Sequence, residues 1–262
     1  MFRTLQLDRR EGLATVWMNR PEVHNAFDDT LIAELTEALL MLDSDVEVRV
    51  VVLGGRGESF CAGADLNWMK RAAGYSEAEN LRDARALAEM LRSLALMSKP
   101  TLARVQGAAI GGGLGLVAGC DIAVASTRAS FATSEVRLGL IPATIGPYVI
   151  AAIGERQARR YFLTGERISA SRALEIGLAH EVTEAERLDA TVASIADALI
   201  AGGPQAQTAA KHLIQDITGR PLTAELAEDT ACRIAGLRAT PEAGEGIRAF
   251  LQKQPPAWRV KC

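Results

Sequence analysis

The sequence predicts an α/β fold: a mostly parallel sheet built by alternating strands and helices, followed by a helical C-terminal region. Three observations carry this. Up to Pro142, strand-like and helix-like patterns alternate, as crossover units of a parallel sheet require. Val48-Arg49-Val50-Val51-Val52-Leu53 is the β-branched run of a strand covered on both faces, closed by Gly54-Gly55. After Pro142 the chain reads as helix almost to its end, in segments near 145–153, 155–163, 171–176, 184–201, 204–217, 222–236 and 241–253.

The elements follow in order. Phe2, Leu5 and Leu7 belong to one strand and Leu13 to Met18 to a second, with Glu11-Gly12 as the turn between them. Asp28 or Asp29 caps a helix whose apolar positions Leu31, Ile32, Leu35, Leu39 and Leu42 recur at helical spacing. The strand at 48–53 comes next. Ser76-Glu77-Ala78-Glu79 has the spacing of a capping box and opens a long amphipathic helix running to about Met97, stopped by Lys99-Pro100. Further strands follow at Thr101–Val105, Asp121–Ala125 and Ser130–Ala132. The helical last sixty or so residues read as an appendage to the sheet rather than part of it.

Composition excludes several function classes. The 262 residues carry 29 Lys+Arg against 32 Asp+Glu, a net charge of −3, so neither a nucleic-acid partner nor an anionic membrane is indicated. Cys61, Cys120, Cys232 and Cys262 lie far apart with no C-x-x-C pair, and His24, His180 and His212 share no ligand spacing. No disulfide framework or metal site is therefore expected. The N-terminus lacks the basic-then-apolar layout of a signal peptide and no apolar run reaches membrane-spanning length, so a cytoplasmic, soluble protein is expected.

Gly113-Leu114-Gly115-Leu116-Val117-Ala118 fits G-x-G-x-x-A, with Glu135 downstream, which on paper is a dinucleotide fingerprint. The context disagrees. That fingerprint belongs in the opening strand–turn–helix, with its acid at the tip of the next strand. Here the glycines come late, and the strand at 121–125 has its acid at the front.

Two tight turns stand out instead: Ser59-Phe60-Cys61-Ala62-Gly63-Ala64-Asp65-Leu66 and Gly107-Ala108-Ala109-Ile110-Gly111-Gly112-Gly113-Leu114. Each leaves a strand through small residues towards a helix start, where backbone N–H groups lack partners. Side by side, one N–H from each would converge on a single oxygen, as in an oxyanion hole. Either turn alone reads as ordinary helix–sheet packing; the pair points to function.

These turns, with Cys120-Asp121-Ile122, Glu135-x-x-Leu138-Gly139-x-Ile141-Pro142 and Leu163-Thr164-Gly165-x-x-Ile168-Ser169-Ala170, resemble the crotonase superfamily of enoyl-CoA hydratases and isomerases. Arg20-Pro21-x-x-x-Asn25-Ala26 and Glu245-Gly246-x-x-Ala249-Phe250-x-x-Lys253 extend the likeness over nearly the whole chain. Gly113–Ala118, Ser134–Leu140 and Pro147–Ile150 are similar to a bacterial branch that hydrates branched, carboxylated thioesters: methylglutaconyl-CoA in leucine degradation and its carboxygeranoyl relative in terpene degradation.

The resemblance implies a crotonase-like spiral of ββα units over residues 1–195 and a helical oligomerisation region over 196–262, assembled as a homotrimer or a hexamer of two trimers. It implies an acyl-CoA substrate, coenzyme A being part of that substrate and no separate cofactor or metal being needed. The Ala64 and Gly112 amides would hold the thioester oxygen, and Glu135 would be the acid–base group. Hydratases of the family commonly use a second glutamate; the matching position here is Gly115. Glu135 would then act alone or with a nearby donor such as Ser134, Thr144 or Tyr148. Arg20, Lys70 or Arg71, and Lys253 would meet CoA phosphates and Phe250 the adenine region, the last two from a neighbouring subunit. Val23, Ala26, Ala62, Asp65, Leu66 and Gly111 would border the CoA and thioester path. Arg137 or Arg71 would receive an acidic acyl end. Trp68 and Met69 either shape the acyl pocket or pack. Enoyl-CoA hydratase is the reading favoured, with a Δ3–Δ2 enoyl-CoA isomerase and a non-catalytic acyl-CoA-binding scaffold as alternatives.

Overall fold

A computed structural model describes residues 2–259. The chain begins with the expected hairpin: β1 (Leu5–Arg10) pairs antiparallel with β2 (Leu13–Met18), Leu5 opposite Met18 and Arg10 opposite Leu13. Glu11 and Gly12 both adopt positive φ, the backbone that a two-residue hairpin turn demands. Alternation in β2 sends Ala14, Val16 and Met18 into the core.

Helix α1 (Asp29–Ser44) starts at Asp28, whose carboxylate accepts the Leu31 N–H, and buries the predicted leucine stripe. After it come β3 (Val50–Gly55), α2 (Leu66–Ala72) and α3 (Glu77–Ala95). Helix α3 opens on the Ser76–Glu79 capping box with both of its hydrogen bonds present. Then follow β4 (Thr101–Val105), β5 (Ala108–Ile110), α4 (Gly112–Gly119), β6 (Ile122–Ser126) and β7 (Ser130–Ala132). Next are α5 (Gly146–Thr164), bent at Gly154, then β8 (Ile168–Ser169), α6 (Ala170–Glu175) and β9 (Glu181–Thr183). The chain ends in α7 (Leu188–Ile200), α8 (Pro204–Ile217), α9 (Ala224–Arg238) and α10 (Pro241–Leu251).

The main sheet has the order β1-β2-β3-β4-β6-β9 and is parallel from β2 onward. A second, three-stranded sheet has the order β5-β7-β8. One face of the main sheet carries the larger core, packed against α1, α3 and α4. The other face is covered by α7, which lays Leu188, Val192 and Ala196 on Val50, Val52, Leu102 and Val124.

Three short strands depart from the sequence reading. Strand β5 lies inside the second glycine-containing turn, and β8 and β9 interrupt the region expected to be all helix. With two or three residues each, they leave no periodicity to read, and form because neighbouring strands offer paired backbone groups. The helical tail is also bound to the sheet more closely than an appendage. Position 195 falls within α7, and buried Lys211 on α8 donates to Asp121 Oδ2 at 2.8 Å at the start of β6. No helix among the described residues is long and apolar enough to cross a membrane, and no three metal-ligating side chains come together there.

Candidate active site

Strands β3 and β4 are parallel neighbours, so the two glycine-containing turns that follow them leave the sheet at the same end. A single-residue bridge joins them. Cys61 N–H donates to Ala108 O at 3.0 Å, and Ile110 N–H donates to Cys61 O at 2.9 Å. A second parallel bridge fixes the next residues: Phe27 N–H donates to Gly63 O at 2.6 Å and Asp65 N–H donates to Phe27 O at 2.8 Å. In this pairing Phe27 uses its own N–H and C=O, while the partners come from the residues flanking Ala64. The Ala64 N–H is thereby turned to the opposite side.

Gly112 is the first residue of α4, so its N–H has no acceptor within the helix. Neither this N–H nor that of Ala64 donates to another described backbone group. Gly111, with φ +53, donates to Ala132 O at 2.8 Å and ties the turn to β7. The turns approach too closely for side chains: a β-carbon on Gly63 would lie 2.9 Å from Ile110 O, and one on Gly113 would lie 2.9 Å from Cys61 Cβ. Cys61 needs only to be small there, and burial pushes its thiol up to about 12, out of reach of thiolate chemistry.

Glu135 arrives through the second sheet. Strand β7 pairs with β5, Ala132 opposite Ile110, and the chain then enters a 3-10 turn over Glu135–Leu138. The carboxyl comes to rest beside Gly111, with Oε1 3.3 Å from where a β-carbon of that residue would stand. Oε2 is buried without a hydrogen-bond partner. Burial pushes this carboxyl above the usual range, and the hydrogen bond from its own N–H only partly offsets that. A carboxyl so placed can take a proton and return it.

Gly115, the position of the absent second glutamate, is buried in α4 one turn after Gly111. A β-carbon there would collide with Cγ2 of Ile145 and stand 2.9 Å from its Cβ. The space is filled as well as vacated of charge. Of the proposed helpers, Ser134, Thr144 and Tyr148 are half-buried; burial raises the Tyr148 hydroxyl, whose nearest charges are Arg92 and Glu89 on α3.

Arg20 is bound within the scaffold. Its guanidinium donates to Ala26 O at 2.5 Å, lies 3.0 Å from Asp28 Oδ2 and donates to Asp65 Oδ2 at 3.1 Å, pinning the caps of α1 and α2 together. Burial alone would raise Asp65, but the N–H groups of Trp68 and Asn67 and the charge of Arg20 outweigh it and hold the carboxylate low. Asn25, buried, holds this loop to the first turn by donating to Ser59 O at 2.9 Å. Val23 and Ala62 are half-buried, Ala26 is buried, and Leu66 and Lys70 are exposed near the turn. Arg71 pairs with Asp29 at 3.1 Å, and Arg137 folds over Gly165.

Phe250 and Lys253 are exposed and are not brought to the glutamate within one chain. Helix α10, which carries Phe250 and ends two residues before Lys253, caps α8 through Glu242. Trp258, just beyond α10, accepts from Arg49 through its carbonyl at the start of β3, the opposite end of the sheet from the turns. Two residues that shape the site carried no sequence signal: Ile145, and Phe27, whose ring lies against Gly112, where a β-carbon would be 2.9 Å from Cδ2.

The sequence profile of the enoyl-CoA hydratase/isomerase family matches residues 8–261. The chain is 34% identical to (E)-benzylidenesuccinyl-CoA hydratase of Thauera aromatica over 97% of this chain and 98% of that one. It is 32% identical to 2,3-dehydroadipyl-CoA hydratase of Escherichia coli over 97% and 98% of the two chains. The crystal structure of an enoyl-CoA hydratase from Shewanella pealeana superposes with a TM-score of 0.95 at 40% identity, covering 98% of this chain and 96% of that one. Two adjoining turns with free N–H groups, a buried carboxyl beside Gly111 and a match over residues 8–261 agree: the chain belongs to the enoyl-CoA hydratase/isomerase family, the crotonase superfamily of enzymes.

Proposed function

We propose that the protein adds water across the α,β double bond of a branched or carboxylated enoyl-CoA, 3-methylglutaconyl-CoA being the reference compound. The observation that carries this is the Glu135 carboxyl, half-buried and with Oε2 unpartnered, set beside Gly111, the residue before the free Gly112 N–H. The Ala64 and Gly112 N–H groups receive the thioester oxygen. Glu135 takes a proton from water as the oxygen bonds to Cβ; the π electrons move onto the thioester oxygen, where the amides stabilise the enolate. Glu135 then returns the proton to Cα. Each amide is worth roughly 2.7–4 kcal/mol to that transition state.

The carboxylated acyl group is supported by the names of two relatives, whose succinyl and adipyl thioesters both bear a second carboxyl. Arg71, on α2 and shared with Asp29, or Arg137 is assigned to that second carboxyl. The CoA phosphates and adenine are assigned to Lys70 and to Phe250 and Lys253 of a neighbouring copy, in a trimer or hexamer. Exposure of Phe250 at 82% on the single chain supports a covering partner.

The test is a panel of enoyl-CoAs assayed for loss of the conjugated double bond, together with a 3-enoyl-CoA assayed for isomerisation. Hydration of the methylglutaconyl compound ahead of crotonyl-CoA supports the proposal. Isomerisation without hydration would favour the Δ3–Δ2 isomerase, a reading encouraged by Ile145 closing the second glutamate's position. Tight thioester binding with neither reaction would indicate a binding scaffold.

A further inference from the structure

Strands β3 and β4 pair as far as Gly54 opposite Arg104, and the two chains next pair at Cys61 and Ala109. Residues 55–60 cover that interval on one side and 105–108 on the other, six against four. The longer side must bow out, and Gly57, with φ +78, takes the bend in a conformation that glycine adopts freely. The bridge at Cys61 is a single point of contact. The tilt of the first turn against the second therefore depends on how this loop is held.

Gln106, the residue before the second turn, holds it. Its side-chain Nε2 donates to Gly55 O at 2.7 Å, to Ser59 O at 2.9 Å and to Gly57 O at 3.2 Å. The orientation is forced, since a reversed amide would set its oxygen against three carbonyl oxygens. The backbone of Gln106 is anchored in turn to the main sheet: the Ser126 hydroxyl on β6 donates to Gln106 O at 2.8 Å. From the other side Asn25 donates to Arg56 O at 2.8 Å and to Ser59 O at 2.9 Å. The next residue, Gly107, touches the loop directly, and a β-carbon there would collide with Glu58 O. One side chain thus ties the base of the second turn to three points at the base of the first.

We propose that Gln106 is a positioning residue of the oxyanion hole: by fastening the 55–59 loop to the second turn, it makes the Ala64 and Gly112 N–H groups converge on one oxygen. Ala64 follows the loop in the chain and Gly112 follows Gln106, so a change in the loop moves one N–H relative to the other. Gln106 acts only through the backbone and touches no substrate. The stabilisation that two donors give an enolate depends on their being placed in advance, and a small misplacement weakens it steeply. This rests on the reading of the Ala64 and Gly112 N–H groups as the holders of the thioester oxygen.

The experiment reads the bound carbonyl directly. A saturated acyl-CoA labelled with 13C at the thioester carbonyl is bound to the parent enzyme and to variants, and its chemical shift is followed by NMR beside the kinetics of the best substrate of the panel. In the parent the resonance should move downfield on binding, because the two donors polarise the C=O. Gln106→Met keeps the length but not the donor. It should lose about half or more of that movement, and kcat should fall about tenfold with KM kept within about twofold. Gln106→Asn, an amide one carbon shorter, should fall between the two. Gln106 is half-buried, so water can reach the carbonyls it leaves and both variants should fold. A Gln106→Met enzyme with the parental carbonyl shift overturns the proposal, whatever its denaturation midpoint, because the residue then only supports the scaffold. So does kcat within about twofold of the parent, including the case where KM alone rises. A parent that binds the thioester without moving its carbonyl resonance overturns the oxyanion-hole reading itself, and this role with it.

Discussion

The side chain of Ile145 fills the space beside Gly115: a β-carbon added to that glycine would stand 2.9 Å from Ile145 Cβ. The contact joins the start of α5 to the middle of α4 and makes the absence of a second glutamate a matter of packing. Gly115→Glu should therefore cost stability rather than restore a two-glutamate site. Overpacking contributes roughly 1–3 kcal/mol and the buried carboxylate more. Urea denaturation should show the loss, and hydration should not rise; a stable, faster Gly115→Glu enzyme would contradict the arrangement.

Glu135→Gln should lower kcat by about 10²–10⁴-fold, the usual worth of a positioned acid–base group, with the circular dichroism spectrum unchanged. Because burial raises this carboxyl, the acidic limb of kcat/KM should lie at higher pH than an ordinary glutamate would give. The sign for stability is the reverse of a salt-bridged acid. The folded state holds the Glu135 proton more tightly than the unfolded chain does. Its contribution is thus complete below the unfolded pKa and lost as pH rises through the folded value. At neutral pH the glutamine variant should melt no lower than the parent.

Arg20→Ala strips two carboxylates, Asp28 and Asp65, of their shared cation. Breaking a buried pair from one side costs roughly 3–5 kcal/mol, here towards the lower end because Asp28 is partly solvated. Asp65 also caps α2 at the residue after Ala64, so kcat should fall along with the denaturation midpoint. Its depressed pKa predicts stability that is present above the unfolded aspartate pKa and disappears as pH drops through the folded value. An Arg20→Ala enzyme with parental kcat and midpoint would show that the clamp is idle.

Lys211→Met tests the attachment of the tail. Asp121 Oδ2 would keep the Thr101 N–H and hydroxyl but lose its buried cation. Loosened packing of α8 should appear as faster hydrogen exchange in 204–217 before the sheet itself is affected. Exchange unchanged there would mean that the apolar contacts of α7 and α8 suffice.

Much of this architecture is legible in the sequence because it rests on local rules. The 29–44 helix shows its leucine stripe, α3 its capping box, β3 its β-branched run, and the two glycine-containing turns their composition. What stays hidden depends on distant partners. Strand β9 is three residues whose strand character comes from Val124, Ala125 and Ser126. The filling of position 115 by Ile145 is invisible until α4 and α5 are packed together.

The bridge between Cys61 and Ala109 has a wider meaning. The two turns that carry the Ala64 and Gly112 N–H groups are joined by backbone pairing that continues from the sheet, and their spacing is therefore set when the domain folds. Helices α2, α3 and α5 are not part of that ladder. Substitutions on those helices should therefore leave the relative position of the two turns unaltered.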